Sequence, residues 1–179
     1  DIHIEKHIPL ASGLGGGSSN GATALKALNK IFKLGKTSDE LQAYAMQIGM
    51  DVPFFLTGGC ALGTHFGEII RPLEYLRLDF EIIDTGIKIS SKDAYGGIDV
   101  SVCGKDIEKT EKMLVALKNG DTAEVIKNFH NDFESWAYEK YPRLKMLKQK
   151  LEKEKNSRVL LAGSGGALIN TPSSLAGLS

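Results

Sequence analysis

The chain has 179 residues, 22 Lys+Arg against 22 Asp+Glu, 42% hydrophobic residues and only 5 Pro, a profile of one globular domain or two small ones that excludes disordered, fibrous and membrane classes. A net charge of zero excludes the basic footprint of a nucleic-acid or membrane surface, so an anionic ligand must be held by local devices. Cys60 and Cys103, without CxxC or histidine-ligand spacing, exclude a disulfide framework and structural zinc, and a reducing cytosol is the expected compartment. The 20 glycines exceed the roughly 7% average, and their placement carries more than their number.

Taken in order, Ile2 and Ile4 alternate with polar residues up to Pro9 and predict a short strand over 2–8, as if the chain were entered in mid-strand. A glycine loop follows. Ser18 and Ser19 then read as N-caps for a helix carrying Ala22, Leu25, Leu28, Ile31 and Phe32 and stopped by Gly35. Thr37 and Glu40 form a capping box for a second helix ending at Gly49. From Asp51 short apolar runs between glycines predict strands at 52–56, 60–62 and 69–70, and residues 78–90 predict two more around Gly86. Helices are expected at 108–118, at 121–140 and from Pro142 to Lys155, the last with a solvated Lys/Glu face; Val159–Leu161 and 167–169 read as strands around a second glycine turn. The last nine residues have no period. Without regular βαβ alternation, the fold class is α+β.

The segment Pro9, Leu10, Ala11, Ser12, Gly13, Leu14, Gly15, Gly16, Gly17, Ser18, Ser19 lies between a predicted strand and a helix N-terminus. There, free backbone N–H groups and the helix dipole make an anion site. Glycines let amides approach phosphate oxygens, and the two serines can offer hydroxyls to phosphate or Mg²⁺. A Walker A loop needs GK[ST], and Ser18 follows Gly17; the Rossmann order of elements is also absent. Asp51, between a helix stop and Val52-Pro53, either caps a turn or stands as a general base. His3, His7, His65 and His130 have no ligand spacing, and Cys60 reads as a core thiol.

The run PLASGLGGGSSNGA from Pro9 to Ala22 resembles the phosphate-binding motif of the GHMP kinases, the galactose, homoserine, mevalonate and phosphomevalonate kinase family. The doubled glycine before SS, GMDVPFFLTGG from Gly49 to Gly59, TGIKISSKDAY from Thr85 to Tyr95, NDFE from Asn131 and AGSGGA from Ala162 narrow the likeness to its branch acting on diphosphocytidyl-methylerythritol in non-mevalonate isoprenoid synthesis. The resemblance implies a two-lobed fold: an S5-like nucleotide-binding lobe over 1–75, incomplete at its start, and a ferredoxin-like lobe over 76–179. It implies ATP and Mg²⁺, transfer to the 2-hydroxyl of that small molecule, a cytoplasmic or plastid setting, and no nucleic-acid or membrane partner.

By the same resemblance Asp51 is the catalytic base, residues 9–19 hold ATP, and Ser91 and Tyr95 hold the acceptor, Tyr95 by stacking on the cytosine. Residues 163–165 are expected to bring a small-residue turn against the nucleotide loop, with Ala162 where the family often has Ser or Thr. The family's lysine-bearing PAKINL segment and its Tyr-His pair have no counterpart in this sequence, and Lys6 does not replace them. The reading therefore expects an interior slice of a larger enzyme. Another GHMP kinase of the mevalonate or homoserine type, or a catalytically silent nucleotide-binding fragment, remain the alternatives.

Overall fold

The computed structural model describes residues 1–172, without the side chain of Pro172; the aperiodic tail of the sequence lies almost wholly outside the described residues. Backbone contacts divide the chain into two compact units, one of residues 15–75 and one of residues 1–14 together with 76–179.

Unit 15–75 is built from three helices and a hairpin: α1 (Gly16–Ile31), α2 (Ser38–Ile48), α3 (Val52–Thr57), β1 (Ala61–Thr64) and β2 (Ile69–Pro72). The Thr37/Glu40 capping box forms as read, with Thr37 Oγ1 accepting from the Glu40 amide and the Glu40 carboxylate taking the Thr37 amide at 2.9 Å. Lys36 and that amide hold the Glu40 carboxyl below its ordinary value. Ala22, Ala45 and Val52 are buried together, one from each helix, with Leu25, Phe55 and Leu56 around them. The expected strand at 52–56 is helix α3. A short apolar run does not distinguish strand from buried helix, and Pro53 near the start of α3 sacrifices no amide bond there. β1 and β2 pair antiparallel, Leu62 opposite Arg71, and burial pushes the half-buried Cys60 thiol up.

The other unit holds β3 (Glu81–Ile83), α4 (Ser91–Gly97), α5 (Ile107–Asn119), α6 (Thr122–Lys127), α7 (Phe133–Lys140), α8 (Pro142–Lys155), β4 (Ser157–Leu161) and β5 (Leu168–Pro172). The strands form an antiparallel sheet in the order β3-β5-β4, Ile82 opposite Ile169 and Leu160 opposite Ile169. Val159, Leu161 and Leu168 pack on Ala94 of α4, Ala137 of α7 and Leu144 of α8. On α8 the Lys/Glu face is not wholly solvated, because the half-buried Lys148 ammonium binds the Val159 carbonyl and Glu152.

Three further expectations differ. Residues 2–8 form no strand: no described strand pairs with them, and Ile2 is 68% exposed. Residues 87–90 form no second strand after Gly86, since the Ile89 amide bonds the Ala11 carbonyl at 3.3 Å instead of a sheet neighbour. The helix expected over 121–140 is two, α6 and α7, because Asn128 turns its amide back to the Glu124 carbonyl at 2.8 Å and Asn131 Oδ1 takes the Phe133 amide at 3.0 Å. Both side chains compete with the helical backbone. Among the described residues no helix is long and apolar enough to cross a membrane. Removing the α2 cap with Thr37→Ala is expected to cost about 1 kcal/mol of unfolding free energy in urea titration, with no change in m.

Candidate functional site

The glycine loop straddles the two units, Pro9–Leu14 in one and Gly15 onward in the other. Its first half is held by backbone alone. The Ala11 carbonyl accepts from the Ile89 amide and from the Gly166 amide at 3.1 Å, and the Ser12 carbonyl accepts from the Ala167 amide at 3.1 Å. Gly13 lies in the left-handed region at φ +82, and a Cβ there would run into the Ala162 carbonyl and the Gly165 amide; one at Gly165 would strike Gly13 in return. The turn at 163–165 therefore does meet the loop, and its residues are small because two backbones touch. Ser12 is buried, and a cleft of about 260 Å³ opens between Pro9, Leu10 and Ser12 and the segment from Asp84 to Lys88.

The second half starts helix α1. Its N-cap is Gly15 at φ +67, with no side-chain cap and no acidic residue in the first turn. Ser18 and Ser19 were expected as caps but lie inside the first turn, because a left-handed glycine turns the chain into the helix three residues earlier. Among the described residues no side chain caps the first amides of the 16-residue α1. No partner engages either serine hydroxyl among the described residues.

Asp51 belongs to the same unit, at the N-cap of α3. It is exposed and makes no capping hydrogen bond. Its position is nevertheless set by its neighbours: Val52 and Pro53 are buried, and the Val52 side chain lies in contact range of Gly21 in α1. Turn capping is thereby removed as its task among the described residues.

Ser91 and Tyr95 lie on α4 in the other unit. The Ser90 hydroxyl caps that helix by taking the Asp93 amide at 3.0 Å. Ser91 Oγ pairs with Ser164 Oγ at 3.3 Å, joining α4 to the glycine turn that carries the loop's first half. Tyr95 is 67% exposed and rests edge-on against Phe133, ring centroids 5.0 Å apart, leaving much of the ring open. Sequence reading missed the supports of this turn. Thr85 Oγ1 donates to the Gly166 carbonyl at 2.6 Å and Asn131 Nδ2 donates to the Leu161 and Gly163 carbonyls; apart from the turn, Glu134 Oε1 accepts the Leu161 amide on β4 and the Tyr138 hydroxyl. Burial, with Glu134 beside it, pushes Tyr138 far up. Nothing in the sequence marked this reach, since NDFE lay inside a span read as one helix.

Residues 1–59 match the family described as GHMP kinases N terminal domain. The chain is 35% identical over 167 residues to 4-diphosphocytidyl-2-C-methyl-D-erythritol kinase of Alkaliphilus oremlandii, covering 92% of itself and 57% of that enzyme. Residues 1–59 thus carry the GHMP kinase N-terminal domain. The chain is also 37% identical over 165 residues to the same-named enzyme of Shouchella clausii, at 92% and 55% coverage, and 37% identical over 171 residues to that of Petrotoga mobilis, at 93% and 65%. A solved structure of 4-(cytidine 5'-diphospho)-2C-methyl-D-erythritol kinase superimposes with a TM-score of 0.73 at 32% identity, over 93% of this chain and 59% of that one. The chain thus spans between about half and two thirds of the length of these relatives. Both the loop and Asp51 fall inside the family match, and the α+β fold is that of the family.

Gly13→Ala is expected to destabilise by about 1–3 kcal/mol, from the positive φ together with the Ala162 collision. Chemical denaturation checks it, with Gly35→Ala, where φ is +65 but nothing lies within 4 Å of a Cβ, as the purely conformational control.

Proposed function

We propose that this chain carries the central machinery of an ATP-dependent phosphotransfer to the 2-hydroxyl of 4-diphosphocytidyl-2-C-methyl-D-erythritol, a step of non-mevalonate isoprenoid synthesis in the cytoplasm. The observation that carries the reading is the N-terminus of α1: a left-handed glycine cap, no acid in the first turn and no side chain on its free amides. That is an anion site. The names of the relatives direct it to this substrate.

Residues Pro9 to Ser19 hold the ATP phosphates, the amides of Gly16, Gly17 and Ser18 facing charge that spreads over the transferred group. Mg²⁺ fits as a companion of the phosphates. No group of three or more His, Cys, Asp or Glu could hold a metal by itself among the described residues, and a hard cation carried mainly by phosphate oxygens needs only a hydroxyl from Ser18 or Ser19. When bound, the ion neutralises developing charge on the phosphoryl oxygens. Asp51 accepts the proton of the attacking hydroxyl, its carboxylate free of any capping bond. Tyr95 offers a ring face to the cytosine and Ser91 a hydroxyl to the same ligand. The acceptor oxygen bonds to the γ-phosphorus, the β–γ bridging bond breaks and ADP leaves, so no covalent enzyme intermediate is needed.

Asp51→Asn is expected to leave the ATP dissociation constant within about twofold and to lower turnover by roughly 10²–10⁴, read by ADP release with the cytidine-bearing acceptor. Mevalonate and homoserine run in the same assay decide between branches of the family. Tyr95→Ala is expected to raise KM for the acceptor by roughly 5- to 150-fold, the equivalent of about 1–3 kcal/mol of stacking, with KM for ATP unchanged. Gly17, where a Cβ would meet nothing within 4 Å, separates fold from ligand. Gly17→Ala is expected to leave the chain as stable or up to about 1 kcal/mol more so, and to weaken ATP binding in calorimetric titration.

A further inference from the structure

The proposed reaction makes no use of Asn131, yet its side chain holds three backbone groups. Nδ2 donates to the Leu161 carbonyl at 2.9 Å and to the Gly163 carbonyl at 2.8 Å, while Oδ1 accepts the Phe133 amide at 3.0 Å. The two carbonyls flank Ala162, whose own carbonyl takes the Gly165 amide at 3.0 Å and stands where a Cβ on Gly13 would be. Gly163 between them is left-handed at φ +49. From the far side of the same turn the Gly166 and Ala167 amides reach the Ala11 and Ser12 carbonyls.

We propose that Asn131 is a positioning residue of the phosphate loop. It clamps the carbonyls on both sides of Ala162, fixes the left-handed turn, and so sets the two amides on which Ala11 and Ser12 hang. This rests on the reading that residues 9–19 bind nucleotide. Opening α7 is the other task Asn131 performs, and one substitution separates the two. Asn131→Asp keeps the acceptor for the Phe133 amide and adds favourable charge at a helix start, but it turns the double donor into an acceptor facing two carbonyls. Glu134 supplies the comparison: it holds the Leu161 amide at 2.9 Å on β4 and touches no carbonyl of the turn.

The test is amide hydrogen exchange on the full chain, paired with titration by ATP and Mg²⁺. Asn131→Asp is expected to speed exchange of the Gly166 and Ala167 amides at least tenfold while the α8 amides keep theirs, and to raise the ATP dissociation constant tenfold or more. Glu134→Gln is expected to lower the thermal midpoint with ATP affinity within twofold. Unchanged exchange at 166 and 167 in Asn131→Asp overturns the proposal, as does faster exchange there with unaltered ATP affinity. If the unsubstituted chain binds no ATP, the nucleotide reading fails, while the exchange pattern still decides whether Asn131 sets the loop. Should Asn131→Asp not fold, Asn131→Ser, which cannot reach both carbonyls and adds no charge, is put through the same comparison.

Discussion

Two carbonyls, those of Ala11 and Ser12, and three amides, those of Ile89, Gly166 and Ala167, make the contact on which the rest of the candidate site depends. It is a meeting of backbones, so side chains enter only by being absent. Gly13, Gly165 and Gly166 each stand where a Cβ would strike main chain, against Ala162, against Ser12 and Gly13, and against Ile87 respectively. Glycine content that looks extravagant as composition is the direct cost of packing three chain segments at main-chain distance. Polar side chains from outside, Thr85 and Asn131, then hold the turn in the one shape that permits the approach.

The electrostatic logic follows from the same economy. A chain with equal numbers of acidic and basic residues has no field to gather anions. In the proposed function the N-terminus of α1 supplies the attraction locally, where neither a capping side chain nor an acid occupies the first turn. The other well-made helix start in the same unit, at Thr37, shows the contrast. There a capping box satisfies the amides and two acids sit in the first turn, so that end is closed to anions. One helix start is closed by its own side chains and the other is left open.

Much of this was legible because local chemistry decided it. The Thr37/Glu40 box, the start of α8 at Pro142, the β1–β2 hairpin and the glycine loop before α1 are all set within a few residues of where they occur. Legibility ended where partners are remote. Residues 2–8 alternate like a strand, but alternation needs a neighbour to become a ladder. The run from Val52 to Thr57 has no period long enough to choose between strand and helix, and burial against Ala22 and Ala45 chose helix. Asn131 and Glu134 carried no mark of their reach to β4, since a side-chain amide reads the same whether it faces water or a carbonyl 30 residues away. The exposed setting of Asp51 was invisible for the same reason.

The distance along the chain between the loop and its support also fixes an order of events. Helices α1 and α2 draw on contacts close in sequence and form from local information, whereas Ala11 and Ser12 await donors at positions 166 and 167. Loop closure over such a span is slow compared with helix growth. During synthesis from the N-terminus, the glycine loop emerges well before the turn that holds it and takes its final shape only after that turn has followed. The loop is completed only by residues far downstream of it.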